Sequence, residues 1–252
     1  MAALIAFANQ KGGVAKTTTV HSLGDALVAR GHSVLLVDLD PQACLTYAVG
    51  IDADQLELTL HDVFTGRAAA TDVLVERDGG SALLPSSIDL AGAEVHLLTK
   101  TGREYVLARA LRPLEERFDF VLIDCGPSLG VLTINGLTAA DWVAIPFQCE
   151  TLSSRGVGQL LETVADVRSF TNDRLKVLGA IATLFDGRTR LAQEVLADIP
   201  RVHQLDVLNP PIPKSVRVAE APGRGRSVLQ HAPTSAAAEA YRQLAISIEE
   251  RT

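Results

Sequence analysis

The stretch AALIAFANQKGGVAKTT, residues Ala2–Thr18, decides the fold of this chain. Its first part, Ala2–Ala8, is an unbroken apolar run, which predicts a buried β-strand. A turn rich in glycine follows, and the residues from about Thr17 to Arg30 have the pattern of a helix that ends at Gly31. A strand, a glycine turn and a helix in this order form the first unit of a parallel α/β sheet.

Further apolar runs recur along the chain, with helical patterns between them. We predict strands at Ser33–Asp38, Ala82–Leu84, Phe118–Asp124, Trp142–Pro146 and Val177–Phe185. Runs this rich in Val, Ile and Leu are typical of strands that helices cover on both faces. The alternation predicts an α/β fold with a doubly wound, mainly parallel sheet, formed by residues 1–252 as one domain. Ligands of such sheets bind beyond the carboxyl ends of the strands.

Composition and charge exclude several classes of protein. The three cysteines, Cys44, Cys125 and Cys149, are far apart and form no C-x-x-C pair, so a disulfide scaffold or a thiolate metal cage is poorly supported, and we expect a reduced, cytoplasmic setting. No apolar stretch approaches the ~20 residues that a membrane span needs. The net charge is −7, but residues 174–226 hold nine Lys/Arg and five Asp/Glu. That excess of positive charge fits either a solvated face or a binding surface.

The glycine turn has the composition of an anion-binding loop. Successive backbone N–H groups around Gly12 and Gly13, together with the start of the following helix, form a cradle for phosphate. The Lys16 ammonium would reach the β- and γ-phosphates, and the Thr17 hydroxyl would bind Mg²⁺. The strict G-x-x-x-x-G-K-[ST] motif is not met, because Ala15 stands where the second glycine is usual.

The form K-G-G-x-x-K-T-T resembles the deviant Walker A motif of the ParA/MinD family of ATPases. The resemblance implies a P-loop NTPase fold, ATP and Mg²⁺ as cofactors, and hydrolysis of ATP. It also implies that Lys11 reaches across a dimer interface to the partner's nucleotide, and that Lys11, Lys16 and Asp40 are catalytic. The expected nucleotide-binding residues are Lys11, Gly12, Gly13, Val14, Ala15, Lys16, Thr17, Thr18 and Pro213.

Two acidic motifs follow predicted strands. Asp38-Leu39-Asp40-Pro41-Gln42 resembles the first switch region of the family, in which Asp40 orients the attacking water and Asp38 supports the hydration shell of Mg²⁺. Asp124 ends the third of these apolar runs and would hold a Mg²⁺-bound water, so the expected metal residues are Thr17, Asp38 and Asp124. Without the evidence of the phosphate-binding loop, the aspartates of the first motif would fit equally well as caps of the next helix.

The resemblance covers nearly the whole chain and leaves four functions open. In a DNA-partitioning ATPase, Arg188 and Arg217 occupy the positions that contact DNA, and Lys214 and Arg224 widen the patch. A MinD-like membrane ATPase is disfavoured by the acidic tip of the C-terminus. An iron–sulfur relative needs cysteines at a spacing that is absent here, and a ligating enzyme needs a further acid/base group that the sequence does not show.

The resemblance to DNA-partitioning ATPases implies the most detailed set of expectations. ATP closes a homodimer, the dimer binds double-stranded DNA, and a ParB-like activator stimulates slow hydrolysis, so the protein is cytoplasmic and associated with the nucleoid. Since the loop begins at Gln10, we expect no helix-turn-helix before it and therefore DNA binding without sequence preference. The cargo can be a chromosome, a plasmid or a protein assembly.

Overall fold

The computed structural model describes residues 2–77 and 79–252. This part of the chain forms one eight-stranded sheet in the order β3-β4-β2-β5-β1-β6-β7-β8. All neighbouring strands are parallel except β3 and β4. The strands are β1 Ala3–Phe7, β2 Val34–Leu39, β3 Val75–Arg77, β4 Ser81–Leu84, β5 Phe120–Cys125, β6 Trp142–Gln148, β7 Lys176–Thr183 and β8 Val207–Leu208.

The described residues contain twelve α-helices, nine between strands and three after β8, and they cover both faces of the sheet. They are α1 Lys16–Ala29, α2 Cys44–Ala48, α3 Leu60–Thr65, α4 Ala70–Val73, α5 Leu90–Leu97, α6 Val106–Leu111, α7 Val131–Ala139, α8 Ser153–Phe170, α9 Arg190–His203, α10 Val216–Glu220, α11 Val228–His231 and α12 Ala236–Glu249. The predicted doubly wound, mainly parallel sheet is therefore confirmed.

The core has two apolar layers, one on each face of the sheet. Along β1 the layers alternate: Leu4 and Ala6 belong to the layer with α5 to α9, whereas Ile5 and Phe7 belong to the layer with α1 and α12. This two-residue period is the pleat of a strand that is buried on both faces. It explains why Ala2–Ala8 shows no polar alternation in the sequence.

The predicted strands match the observed ones within a few residues at each end, and two short edge strands, β3 and the two-residue β8, were missed. β3 has only three residues and lies antiparallel at the edge of the sheet, where pairing with one neighbour leaves a weak sequence signal. The predicted helix from Thr17 begins one residue earlier, at Lys16.

The apolar stripe predicted on the closing helix is also present. Ala237, Tyr241, Leu244 and Ile248 lie on α12 and are buried against the layer that contains α1. None of the helices described in residues 2–77 and 79–252 is both long and apolar enough to cross a membrane.

Strand order determines where polar side chains converge. β1 is central and pairs with β5 on one side and β6 on the other, so the chain winds in opposite directions from this point. Asp124 lies beside Phe7 in the β1–β5 register and beside Asp38 in the β2–β5 register. The loop after β1 and the acidic motifs after β2 and β5 therefore share one edge of the sheet, which is where doubly wound sheets bind ligands.

Candidate functional site

The loop between β1 and α1 contains two residues with left-handed backbone conformation. Gly13 has φ +74°, which costs glycine little. Ala15 has φ +57° and ψ +34° immediately before α1, and for an alanine this conformation costs roughly 1–2 kcal/mol. Alanine at this position, the departure from the family motif noted above, is therefore strained, and the backbone nevertheless adopts the loop.

Asn9 and Thr183 hold the loop in place. The Asn9 side chain accepts a hydrogen bond from the Lys11 amide at 3.0 Å and donates one to the Pro146 carbonyl at 2.8 Å. The Thr183 hydroxyl lies 2.9 Å from the Val14 carbonyl oxygen. The sequence analysis missed both residues, because their roles depend on the packing of β1 against β6 and of β6 against β7.

Lys16 is folded back into the loop. Its ammonium donates to the Asn9 carbonyl at 3.1 Å and to the Lys11 carbonyl at 3.4 Å. Burial lowers the pKa of Lys16, and the negative charge of Asp124 opposes that shift. A cation held among backbone carbonyls at the start of α1 is placed to exchange these contacts for phosphate oxygens.

Asp124 is completely buried, and within the described residues neither carboxylate oxygen has a hydrogen-bond partner. Burial, followed by repulsion from Asp38, raises the pKa of Asp124 well above its usual value, while Thr17 and Lys16 act in the opposite direction. An unpartnered buried carboxylate beside a threonine hydroxyl fits a divalent cation, whose charge would compensate the burial.

The donor set fits Mg²⁺ in particular. No group of three His, Cys, Asp or Glu side chains in the described residues is arranged to hold a metal ion by itself. Mg²⁺ commonly takes one or two protein ligands and completes its shell with water and nucleotide phosphate. Thr17 would be such a ligand, and Asp124 would hold one of the waters of the Mg²⁺ shell.

Asp38 is engaged by its own loop. One carboxylate oxygen accepts from the Thr46 amide at 2.8 Å and from the Thr46 hydroxyl at 2.7 Å, and the other accepts from the Asp40 amide at 3.3 Å. Burial raises the pKa of Asp38 to about 7, although the Thr46 hydrogen bonds act against this shift. In this structure Asp38 orders the β2–α2 loop, and its contribution to a Mg²⁺ hydration shell stays a prediction.

Asp40 belongs to the same loop and is largely buried. Its carboxylate accepts from the Gln42 amide at 2.9 Å, and its carbonyl accepts from the Ser86 hydroxyl at 2.7 Å. A Cβ atom at Gly126 would lie 3.4 Å from the Asp40 carboxylate. Glycine at this position therefore leaves free space beside the residue expected to orient water.

An open cavity of about 750 Å³ lies against these elements. Loop residues and Asp40 form its polar side, and Leu184, Val218, Ala219 and Pro222 form an apolar side suited to a nucleotide base. Leu184 has φ +50°, an unusual conformation for a bulky residue that is typical of functional sites. The full lining is Gly12, Gly13, Ala15, Lys16, Thr17, Thr18, Asp40, Gln42, Cys44, Tyr47, Ala48, Pro127, Leu184, Ser215, Val218, Ala219 and Pro222.

Three of the expected nucleotide-binding residues are outside this lining. Val14 is buried beneath the loop, and Pro213 forms a bridge with Phe185. Lys11 is partly exposed, and its ammonium forms an ion pair with Glu150, which follows β6. Lys11 is thus held outside the cavity of its own chain, and its action on a partner's nucleotide stays a prediction.

The four expected DNA-contacting residues are exposed and lie on two neighbouring segments. Arg188 forms a two-point ion pair with Asp186, and Arg217 pairs with Glu220 one turn along α10. The Lys214 amide donates to the Phe185 carbonyl at 3.0 Å, which places the loop of Lys214 beside the loop of Arg188. Arg224 lies farther along, after α10, where the Gly225 backbone approaches Gly50.

Comparisons with known proteins identify the family of this chain. Residues 2–177 match a family model described as an AAA domain. The chain is 41% identical to the sporulation initiation inhibitor protein Soj of Bacillus subtilis over 97% of both chains. It is 42% identical to the chromosome partitioning protein ParA of Caulobacter vibrioides, covering 98% of this chain and 94% of that protein.

A solved structure matches the fold closely. A protein called cobyrinic acid a,c-diamide synthase from Mycobacterium smegmatis, with bound ATP analog and magnesium, superposes with a TM-score of 0.88. It shares 51% identity over 98% of this chain and 93% of its own. The expectation of ATP and Mg²⁺ as cofactors is confirmed. This chain belongs to the ParA/Soj family of P-loop ATPases and is an ATP hydrolase.

Proposed function

We propose that this protein is a partition ATPase whose ATP form is a two-fold dimer that binds double-stranded DNA without sequence preference. With a ParB-like activator it positions a chromosome, a plasmid or another cargo over the nucleoid of the cytoplasm, and residues 1–252 act as one ATPase domain. The names of the Soj and ParA relatives support the partition role. The basic surface formed by Arg188, Lys214 and Arg217 is the observation that carries DNA binding.

The nucleotide chemistry is carried by the residues at the edge of the sheet. Lys16 neutralises charge on the β- and γ-phosphates. Thr17 would hold Mg²⁺ and Asp124 would hold a water bound to it, and the ion would supply positive charge to the phosphates. Asp40 orients the attacking water, because it lines the cavity while its amide is held by Asp38 and its carbonyl by Ser86. Asp38 keeps that loop in position through Thr46.

Dimerisation would bring a further positive charge, the Lys11 ammonium of the other protomer, to the nucleotide. Lys11 lies at the open side of the loop and, in the dimer, contacts the nucleotide of the other protomer. Gly12 is next to it, and the nearest atom to a Cβ built there is the Pro127 Cβ at 3.9 Å. Gly12→Val therefore fits within one chain but places a side chain where the two loops meet, so this variant should bind ATP and remain a monomer.

The cations of the basic surface would bind the phosphates of DNA. Arg188 and Arg217 pair with carboxylates on their own segments, and both guanidinium groups remain largely exposed. Exposed pairs of this kind are weak, so a DNA phosphate can replace the carboxylate at little cost. A two-fold dimer presents each arginine twice.

The test measures the affinity of the protein for DNA at a series of salt concentrations. The series is run once with an ATP analogue and once with ADP. Four phosphate contacts predict a slope of log affinity against log salt of about −3.6, or a loss on the order of a hundredfold between about 50 and 200 mM. Arg217→Glu should abolish DNA binding and leave the dimer intact. Arg201→Glu is the matched control, because Arg201 also pairs one turn away, with Asp198, but lies at the end of α9 that leads into β8.

Three results would reject DNA binding: no ATP-dependent shift at low salt, a slope near zero, or equal loss in both arginine variants. Retention on anionic lipid vesicles without a DNA shift would favour a membrane role instead. The structure gives α12 no free apolar face for that role, because the stripe from Ala237 to Ile248 is buried against the core.

The 51% sequence identity to the M. smegmatis protein favours a second candidate, ATP-dependent amide formation on a carboxylic acid. If the nitrogen were released from glutamine by a cysteine thiolate, that thiol would need a lowered pKa. Burial instead raises the pKa of Cys149 to about 11 and also raises the pKa values of Cys44 and Cys125. ATP turnover that requires a carboxylic acid and ammonia, and does not respond to DNA, would establish this candidate.

A further inference from the structure

Both arginines of the basic surface already have an anion beside them. Arg188 donates to one carboxylate oxygen of Asp186 at 2.8 Å and to the other at 2.7 Å, and Arg217 donates to Glu220 at 3.1 Å. We propose that Asp186 and Glu220 are internal competitors of the DNA phosphates, which weaken DNA binding and keep a single protomer off DNA. This inference rests on the proposed function, since it concerns the regulation of the same surface.

The contact at Arg188 has the geometry with which a guanidinium binds a phosphate. Nε and Nη2 of Arg188 donate to the two oxygens of one carboxylate, and an arginine holds a phosphate with the same fork of two parallel donors. The Arg188 side chain is 90% exposed, so DNA can reach it. A phosphate that takes this fork has to displace Asp186.

Asp186 is held in place independently of the Arg188 side chain. Its carboxylate accepts from the backbone amide of Arg188 at 3.2 Å, and its carbonyl accepts from the Thr189 amide at 3.1 Å and the Thr189 hydroxyl at 3.0 Å. Hydrogen bonds from Arg188 lower the pKa of Asp186 to about 2, and the charge of Lys214 acts in the same direction. An ionised carboxylate therefore stays beside the fork after the guanidinium has turned away.

Glu220 is held by a residue of the next helix. The oxygen that accepts from Arg217 also lies 3.2 Å from Nε2 of His231, whose side chain is only 6% exposed and belongs to α11. Hydrogen bonds from His231 and Arg217 lower the pKa of Glu220. Because the buried ring cannot follow Arg217 to the DNA, the negative charge of Glu220 remains at the surface and continues to compete.

The two carboxylates cancel most of the positive charge of the surface. Its three cations, Arg188, Lys214 and Arg217, and the two carboxylates leave a net charge of +1 on each protomer. Without the two negative charges the same surface would carry +3. Since attraction to DNA grows with the positive charge that meets the phosphates, one protomer by itself attracts DNA weakly.

The carboxylates matter because several pairs break together. Breaking one exposed ion pair changes an equilibrium about 1.4-fold to fivefold. A dimer that turns all four arginines to phosphates breaks four pairs, which weakens its DNA binding about fourfold to several hundredfold. A single protomer breaks two pairs for only two phosphate contacts, at a loss of about twofold to thirtyfold.

Amide substitutions test this competition, because they remove the charge and preserve the size of the side chain. Fluorescence anisotropy with a labelled DNA duplex gives the affinity of the wild-type, Asp186→Asn, Glu220→Gln and doubly substituted proteins, each with an ATP analogue and with ADP. Each single variant should tighten binding of the ATP form about twofold to thirtyfold, and the double variant at least about fourfold. The double variant should also tighten binding of the ADP form about twofold to thirtyfold.

The salt dependence separates competition from new contacts. The slope of log affinity against log salt should stay at its wild-type value, because no phosphate contact is added. A steeper slope in the variants, or no gain in affinity, would overturn the proposal.

Two further variants separate competition from a general loss of negative charge. Glu194→Gln is the matched control, because it removes a carboxylate that pairs with Arg190, just beyond Arg188, and leaves both proposed pairs intact. In an Arg188→Gln background, Asp186→Asn should lose most of its effect. An equal gain from Glu194→Gln, or an undiminished effect of Asp186→Asn in that background, would overturn the proposal.

Failure of this inference is distinguishable from failure of the proposed function. A wild-type protein that binds DNA with the ATP analogue, together with variants that bind no more tightly, would overturn the competition and leave the partition role in place. Variants that bind DNA while the wild-type protein does not would support the competition and reject DNA binding by the wild-type protein. Absence of DNA binding in all of them would overturn both.

Discussion

Replacing Glu150 by Gln removes the carboxylate that pairs with Lys11 and preserves the size of the side chain. In the single chain Lys11 is held by Glu150, whereas in the proposed dimer Lys11 must reach the partner's nucleotide. The pair therefore competes with dimerisation, since each protomer has to break it. Glu150→Gln should tighten the ATP-dependent dimer.

The size of the effect follows from the exposure of the pair. Lys11 and Glu150 are 34% and 49% exposed, so solvent screens their attraction, and a pair of this kind stabilises by about 0.2–1 kcal/mol. Two pairs break for each dimer, which gives about 0.4–2 kcal/mol, or a dimer dissociation constant lowered about twofold to thirtyfold. The effect should shrink as salt rises.

Sedimentation velocity over a concentration series, with a non-hydrolysable ATP analogue, measures this constant. Glu194→Gln is the matched control, because it breaks an exposed ion pair with Arg190 on α9 and should leave dimerisation unchanged. A Glu150→Gln dimer that is equally stable or weaker would refute the competition between Glu150 and the partner's nucleotide. In a Lys11→Ala background, Glu150→Gln should no longer change the dissociation constant of the dimer.

Three other substitutions address separate parts of the molecule. Lys16→Ala should abolish ATP binding in calorimetry while Lys11→Ala retains it; equal loss in both would count against a role of Lys11 in trans. Asp40→Ala should bind ATP and dimerise but stop turnover, and normal turnover would move the catalytic role elsewhere. Burial lowers the pKa of His21 to about 4. Unfolded chains then gain the proton first, so the free energy of unfolding should fall by up to about 3 kcal/mol between pH 6.5 and 4. His21→Gln should flatten that loss in chemical denaturation, and an unchanged pH profile would contradict it.

The sequence predicted the parts of the site that a short segment builds by itself. A strand, a glycine loop and a helix are local, so the positions of Lys16 and Thr17 followed from residues within one turn of each other. The strand ends that carry Asp38 and Asp124 followed from unbroken apolar runs. Their adjacency then followed from the rule that parallel strands end at one edge.

What the sequence could not predict depends on which strands are neighbours. The hydrogen bond of Asn9 to Pro146 and the pairing of Lys11 with Glu150 both require β1 beside β6, and nothing near Asn9 indicates that adjacency. Pro213 was expected at the nucleotide, and this stays a prediction: its backbone bridges Phe185 and it lies outside the cavity lining. Its expected role rested on resemblance alone, without a local reason for its side chain to face the cavity.

The internal hydrogen bonds explain how control can reside in dimerisation. The Thr46 hydroxyl donates to Asp38 at 2.7 Å and accepts from the Ser86 amide at 3.0 Å, and the Ser86 hydroxyl donates to the Asp40 carbonyl at 2.7 Å. These contacts fix the loop of Asp40 within one chain, before a partner is present. If Asp40 and Lys11 act as proposed, the water-orienting group is already in place in the monomer, and the charge that completes the site is the lysine of the other protomer. Slow hydrolysis in a single chain then follows from a missing cation rather than from a disordered loop, because a positioned carboxylate alone does not stabilise the charge that develops on the phosphates.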